Sequence, residues 1–238
     1  MADIVKAIEK EKEYLSYRKK GEEPFHLIDA VRECGFDSLD AYYNSKADYE
    51  FSQLSFELIV TTTDRAIADV MTVLHDKRTA VLFADTENTI IWNGVNSRFN
   101  ESYCEECGIP VYPLQTNGGT IVSTKGDLNI GICVPETVTM NPLYILDGLA
   151  NILRKHTNKT VIIDGNDILV DGYKVMGSSH YKLNQMFMFI TPVSLTEKSE
   201  LISIICEKHS NKEPMHIDFL NKETLKQEVL TWLKTVSI

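Results

Sequence analysis

Residues 168–175 read "ILVDGYKV", two strand-forming runs joined by Asp171-Gly172. An Asp-Gly pair between such runs is the strongest short-range hairpin signal, because both central residues of the favoured tight turn need positive φ. A two-residue loop sets the register: Val170 faces Tyr173, Leu169 faces Lys174, Ile168 faces Val175 and Asp167 faces Met176. Side chains alternate across a strand, so Lys174, Leu169, Asp167 and Met176 share one side. Asp167 is then a diagonal neighbour of Lys174, within reach of its long stem. The pair reads either as a structural ion pair or as a cation positioned above a site. Gly177, Ser178 and Ser179 follow directly. Small residues weaken a strand and are usual where a ligand or another backbone approaches closely.

Around the hairpin the chain alternates strand-like and helix-like segments. Residues 1–54 read as a helical N-terminal extension, with Ile4, Val5, Ile8 and Leu15 on one face, and Leu27, Ile28 and Val31 on another beyond a Gly21 to Pro24 break. This extension is either a packed cap or a docking element. From residue 55 a single domain is expected to run to residue 238. "FELIV" opens it as a strand, and Ile67, Val70, Met71 and Leu74 then recur at helical spacing. "TAVLFA", "NTIIW" and "IPVY" read as strands, with a short helix around Ser102 to Cys107. Asn141 can cap a helix opened by Pro142, whose buried stripe is Leu143, Leu146, Leu149, Ile152 and Leu153. "TVIIDG" and "MFMFI" add strands, and helices are predicted at about 194–208 and 222–235. The fold class expected is α+β: a mixed, largely antiparallel sheet flanked by helices.

Composition removes several functions. The net charge of −10 argues against a nucleic-acid partner, which would need a basic surface. No apolar run approaches the roughly 20 residues of a membrane helix, and the N-terminus is charged, so a cytoplasmic protein with no membrane partner is expected. Five scattered cysteines read as reduced thiols. Cys104-x-x-Cys107 lacks the second half of a zinc site, and the histidines form no spaced metal set.

A second feature is "NGGTIVSTKGDLN", residues 117–129. Gly118 and Gly119 either serve a turn or let backbone amides converge on an anionic oxygen. No Gly-Lys-Ser/Thr follows, so this is not a Walker loop.

Taken in order, the glycine segment and the hairpin lysine resemble the lipoate–protein ligase and octanoyltransferase family, whose fold is shared with biotin–protein ligases. That family's "GGGTVYHDxGNLN" looks like residues 117–129, and its "NDI…GxKxxGSA" looks like "NDILVDGYKVMGSS", residues 166–179. The resemblance covers residues 56–238 and places the family's active-site lysine on Lys174. It implies a biotin/lipoate ligase-like fold and transfer of a lipoyl or medium-chain acyl group to a lysine of a lipoyl-type acceptor domain. A ligase would use ATP and Mg²⁺ to make an acyl-adenylate from lipoate or octanoate; a transferase would take the acyl group from a thioester, with Cys133 the nearest nucleophile candidate. In either case negative charge develops on an oxygen at the acyl carbon, which suits a fixed ammonium. The implied binding residues are Asn166 and Asp167, orienting Lys174 or the nucleotide; Gly118, Gly119 and Thr120, lining an acyl tunnel; and Asn129, Gly177 and Ser178. Family ligases commonly carry a small C-terminal domain, fused or separate, and the last helix is expected to leave no room for one here. The chain also departs from the pattern. Pro113-Leu114 stands where the family has an arginine pair, Asn117 at its first glycine, Ser123 at its histidine and Asp127 at its asparagine. The family's His-Gly-Thr is not evident in "MFMFITPV". A non-catalytic binder that has lost activation residues is therefore a third reading.

Overall fold

The Asp171-Gly172 turn forms, with φ of 51° and 86°, and the hairpin it closes lies in a large mixed sheet. The computed structural model describes residues 2–22, 25–95, 97–114, 119–136, 142–206 and 212–236. In chain order these form α1 (Ile4–Lys19), α2 (Leu27–Glu33), α3 (Leu39–Ser52), β1 (Glu57–Thr62), α4 (Ala66–His75), β2 (Ala80–Asp85), β3 (Ile90–Gly94), α5 (Glu101–Glu106) and β4 (Val111–Leu114). The rest of the chain forms β5 (Thr120–Ser123), β6 (Leu128–Pro135), α6 (Pro142–His156), β7 (Val161–Asp164), β8 (Asp167–Val170), β9 (Tyr173–Gly177), β10 (Ser179–Leu183), β11 (Met186–Val193), α7 (Ser199–Ile205) and α8 (Lys222–Val236).

The main sheet runs β1-β2-β6-β11-β9-β8-β7, with β10 also paired to β11. Only β1 and β2 are parallel within it, so the largely antiparallel α+β fold expected from the sequence is the one observed. A small sheet, β4-β3-β5, lies beside it. The period-2 pattern decides which face each residue serves. Val81, Phe83, Ile130, Ile132, Phe187 and Phe189 pack with α6 and α8 on one face. Leu82, Ala84, Cys133 and Met188 pack with α4 and the small sheet on the other. β6 is buried along almost its whole length because both faces are covered.

The N-terminal helices have a separate core of Ala7, Ile8, Val31, Cys34, Phe36 and Tyr42. Ile8 is buried as expected, but Val5 and Leu15, placed on the same face of α1, are half-exposed, and Ala7 and Glu11 are buried instead. Glu11 accepts from the Tyr42 hydroxyl at 2.9 Å and pairs with Lys46, so a carboxylate joins the α1–α3 contact. α3 faces two ways: Phe51 belongs to the main core, and Asp48 accepts from the Tyr144 hydroxyl at 2.6 Å.

Several expectations need correction. In α4, Val73 takes the buried place expected of Met71, and in α6, Ile145 takes that of Leu143; Met71 and Leu143 are exposed. Asn141, expected to cap α6, lies outside the described residues. The helix expected over 194–208 is shorter, Ser199–Ile205, because the Leu195 and Thr196 amides donate to Asp127 at 2.9 and 3.2 Å instead of to helical carbonyls. β10 had no glycine signal: its turn to β11 is made by Asn184 and Gln185, with φ of 52° and 66°.

Candidate functional site

The hairpin register departs from a plain two-residue count. Val170 faces Tyr173 and Leu169 faces Lys174, but a bulge between Ile168 and Leu169 then sets Ile168 against Met176 and Asp167 against Gly177. The expected pairs Ile168–Val175 and Asp167–Met176 do not form. The physical reason is burial: Val175 and Met176 are consecutive yet both sit in the main core, at 2% and 1% exposure, which strict alternation forbids. The bulge also places the side-chain-free Gly177 beneath the lysine. A Cβ there would lie 2.9 Å from both Cε and Nζ of Lys174. The ammonium therefore crosses the strand and meets Asp167 Oδ1 at 2.8 Å. On the other side, the Lys174 amide donates to Glu213 O at 2.8 Å and its carbonyl accepts from the Met215 amide at 2.9 Å.

That edge contact delivers a residue absent from every sequence motif. Lys212 Nζ lies 2.9 Å from Asp167 Oδ2 and 3.0 Å from Asp164 Oδ2. Asp167 thus bridges two ammonium groups, one on each oxygen. Burial works against the charge on Lys212, but the Asp167 and Asp164 hydrogen bonds outweigh it and hold its pKa above the ordinary lysine value.

These groups open into a cavity of about 920 Å³ between the main sheet, the small sheet and α7. Of the residues expected at the site, Lys174, Asp167, Asn166, Gly177, Ser178, Gly119 and Thr120 all line it. Asn166 acts through its backbone: its carbonyl accepts from the Ser178 amide at 2.8 Å and from the Ser178 hydroxyl at 3.0 Å. Thr120 Oγ1 donates to Asn93 Oδ1 at 3.0 Å, tying β5 to β3. A Cβ on Gly119 would meet nothing within 4 Å. Gly118 lies outside the described residues. Asn129 is not among the lining residues; it is buried, and its amide donates to Thr63 Oγ1 at 3.2 Å.

Other sequence candidates sit elsewhere. Cys133 is buried on the α4 side of the sheet beside Met188, and burial pushes its thiol up to about 12. His180, which follows Lys174 closely in the sequence, is exposed, with its ring stacked on Phe187 at 5.4 Å. Cys104 is buried and Cys107 exposed; among the described residues no group of three or more His, Cys, Asp or Glu is placed to hold a metal.

At the β11–α7 side of the cavity a second ion pair joins Lys198 to Asp127, 7% and 2% exposed. Burial would raise the Asp127 carboxyl, but Lys198 and the Thr124 and Leu195 amides hold its pKa below the ordinary carboxylate range. Burial lowers the Lys198 pKa below the ordinary lysine value, against the pull of Asp127. Counting the described lining residues, Arg98, Lys174, Lys198 and Lys212 face Asp164 and Asp167. In a chain of net charge −10, this cavity carries an excess of positive charge.

The mixed sheet and its flanking helices share the fold of solved lipoate ligases. The structure superposes on P. falciparum LipL1, solved in complex with lipoate, at a TM-score of 0.65 and 14% identity, covering 76% of this chain and 62% of that one. The present chain thus spans less than two thirds of that protein. It superposes on the bipartite lipoate protein ligase of Thermoplasma acidophilum, studied with its E2 lipoyl domain, at 0.63 and 12%, covering 76% and 84%. A lipoate–protein ligase A bound with ATP matches at 0.63 and 14%, covering 77% and 85%. A search of curated proteins finds no match. The lipoyl protein ligase A/B catalytic domain model matches residues 58–218, more than half of the chain, and the protein belongs to that family.

Proposed function

We propose that this protein joins lipoate or a medium-chain acyl group to a lysine of a lipoyl-type acceptor domain, through an acyl-adenylate made from ATP with Mg²⁺. The observation that carries the reading is the Lys174–Asp167–Lys212 bridge on the wall of a cation-rich cavity. Activation places negative charge on the acyl carboxylate and on phosphate oxygens. Two ammonium groups fixed by one carboxylate are suited to that charge, since they are already oriented before the substrate arrives. Lys174 would contact the acyl carboxylate and the α-phosphate, and Lys212 the phosphates beside it. Asp167 is the positioning residue for both. Gly119 and Thr120 would flank the acyl chain, and Asn166, Gly177 and Ser178 the nucleotide. With both Asp167 oxygens engaged by lysines, the carboxylate that would hold Mg²⁺ here is Asp164, since that ion usually takes one or two carboxylates together with substrate phosphates. In the second half-reaction the acceptor amine attacks the acyl carbon, and the C–O bond to AMP breaks with its electron pair leaving on phosphate.

Cys133 is buried on the α4 side of the sheet and is not among the residues lining the cavity, which favours the ligase over a transferase that would use it as nucleophile. Incubating the purified protein with ATP, Mg²⁺ and lipoate or octanoate, with mass spectrometry of the products, tests the reading. Adenylate is expected. Acyl transfer from a thioester alone would establish the transferase, and stoichiometric binding without turnover the binder. Lys174→Ala is expected to fold and to lower the activation rate by on the order of 10²-fold.

A further inference from the structure

The cavity has two cation stations, and the reading above uses only one. Lys174 and Lys212 gather on Asp167, and Lys198 sits on Asp127. Leu128, Val193, Met176 and Ile168 form one row across β6, β11, β9 and β8. Asp127 and Asp167 adjoin the two ends of that row, three strand spacings apart, so their backbones are separated by about 15 Å. The walls differ accordingly. Asp164, Gly165, Asn166, Ser178 and Lys212 line the first station's side, whereas Ile202 and Cys206, one and two turns along α7 from Lys198, share the second with Val122 of β5.

Asp127 is compensated by more than Lys198. The Thr124, Leu195 and Thr196 amides donate to it at 2.8, 2.9 and 3.2 Å, with the Thr124 and Thr196 hydroxyls alongside. The Lys198 ammonium can therefore turn toward a ligand and leave behind a carboxylate that is still hydrogen-bonded. A cation nine-tenths buried at the apolar end of a cavity suits a particular kind of guest. A purely hydrocarbon tail would leave its remaining N–H groups unanswered, which is costly in a desolvated site.

From this arrangement, and resting on the acyl-handling reading, we infer that Lys198 is a specificity-determining residue for the far end of the acyl chain. The acids this cavity prefers are medium-chain acids with a hydrogen-bond acceptor or negative charge on the terminal carbon. Lys174 holds one end and Lys198 the other.

The test is calorimetric titration of the wild-type protein with octanoate, 8-hydroxyoctanoate and octanedioate, repeated on Lys198→Met and on Asp127→Asn/Lys198→Met. The double variant removes both buried charges together, so it keeps the question answerable if the single variant folds poorly. Octanedioate is expected to bind the wild type about tenfold more tightly than octanoate, and 8-hydroxyoctanoate to fall between them. That order should vanish or reverse in the variants. Equal or weaker binding of octanedioate by the wild type, or a preference that survives loss of Lys198, overturns the inference, as does a failure of all three acids to bind. ATP-dependent adenylate formation from octanoate, scored on the same preparation, reports separately on the ligase reading. Its absence beside an intact binding order would sink that reading alone.

Discussion

Gly177 shows how one missing side chain can set a functional geometry. Its φ lies outside the left-handed region, so backbone freedom is not what it supplies. It supplies room for the Lys174 stem to lie across β9 and reach Asp167. Gly177→Ala is therefore expected to leave the fold intact while pushing the ammonium off its carboxylate. Adenylate formation should fall by about a hundredfold, the scale at which ångström-sized misplacements act, with the thermal midpoint nearly unchanged. An unaltered rate would mean that the Lys174–Asp167 pair does not position the reacting groups. Asp167→Asn probes the same bridge from the other side and should weaken nucleotide binding through both lysines at once.

Among the elements, α6 and α8 cover the main face of the sheet, and Trp232 of α8 packs tightly over Gly148 of α6. A Cβ there would lie 2.3 Å from Trp232 Cζ2 and 2.4 Å from Cε2. Alanine in a helix interior normally gains about 1 kcal/mol over glycine. Here overpacking against a rigid ring costs about 1–3 kcal/mol and outweighs that gain. Gly148→Ala should thus lower the unfolding midpoint, and Trp232→Leu in the same chain should recover part of the loss. α8 is also tied to the sheet by charge: Lys222 and Lys226 each approach Asp85, at the end of β2, at 2.9 Å. Burial would raise the Asp85 carboxyl, but the two lysines hold its pKa below the ordinary value. A carboxyl whose folded pKa is depressed contributes stability above its unfolded pKa, and that contribution is lost as pH falls through the folded value. Acid unfolding followed by circular dichroism should show this loss below about pH 4. Asp85→Asn should flatten that part of the curve while lowering stability at neutral pH.

For the molecule as a whole, α3 serves two cores: Tyr42 belongs to that of the N-terminal helices and Phe51 to that of the main sheet. The expected division at residue 54 would assign all of α3 to the extension, yet Phe51 is fully buried in the main core and packs against Tyr144 at 5.1 Å. We propose that α1 and α2 form the removable cap and that α3 belongs with the domain. Deleting residues 2–36 should leave one cooperative unfolding transition and an intact ligand site, whereas Phe51→Ala should destabilise the protein by about 3–5 kcal/mol. Loss of folding in the deletion would show that the cap is integral.

Local chemistry in the sequence determined the elements and half of the site. Alternation and the Asp-Gly turn specified the hairpin and placed Lys174 opposite Leu169; helical spacing located α4, α6 and α8; and the motif around Lys174 indicated an acyl-handling family. The elements follow from interactions between residues near one another in the chain, which pattern alone can express; the family followed from the resemblance of the motifs. The bulge, the half-exposure of Leu15, the brevity of α7, the buried seat of Asn129, and the arrival of Lys212 beside Asp167 and Lys198 beside Asp127 were decided only by tertiary structure. Each depends on what the rest of the chain packs against that point, or on an ion pair between residues 45 or 71 positions apart. No periodicity records such pairings, because their energy exists only once the sheet has brought the strands side by side.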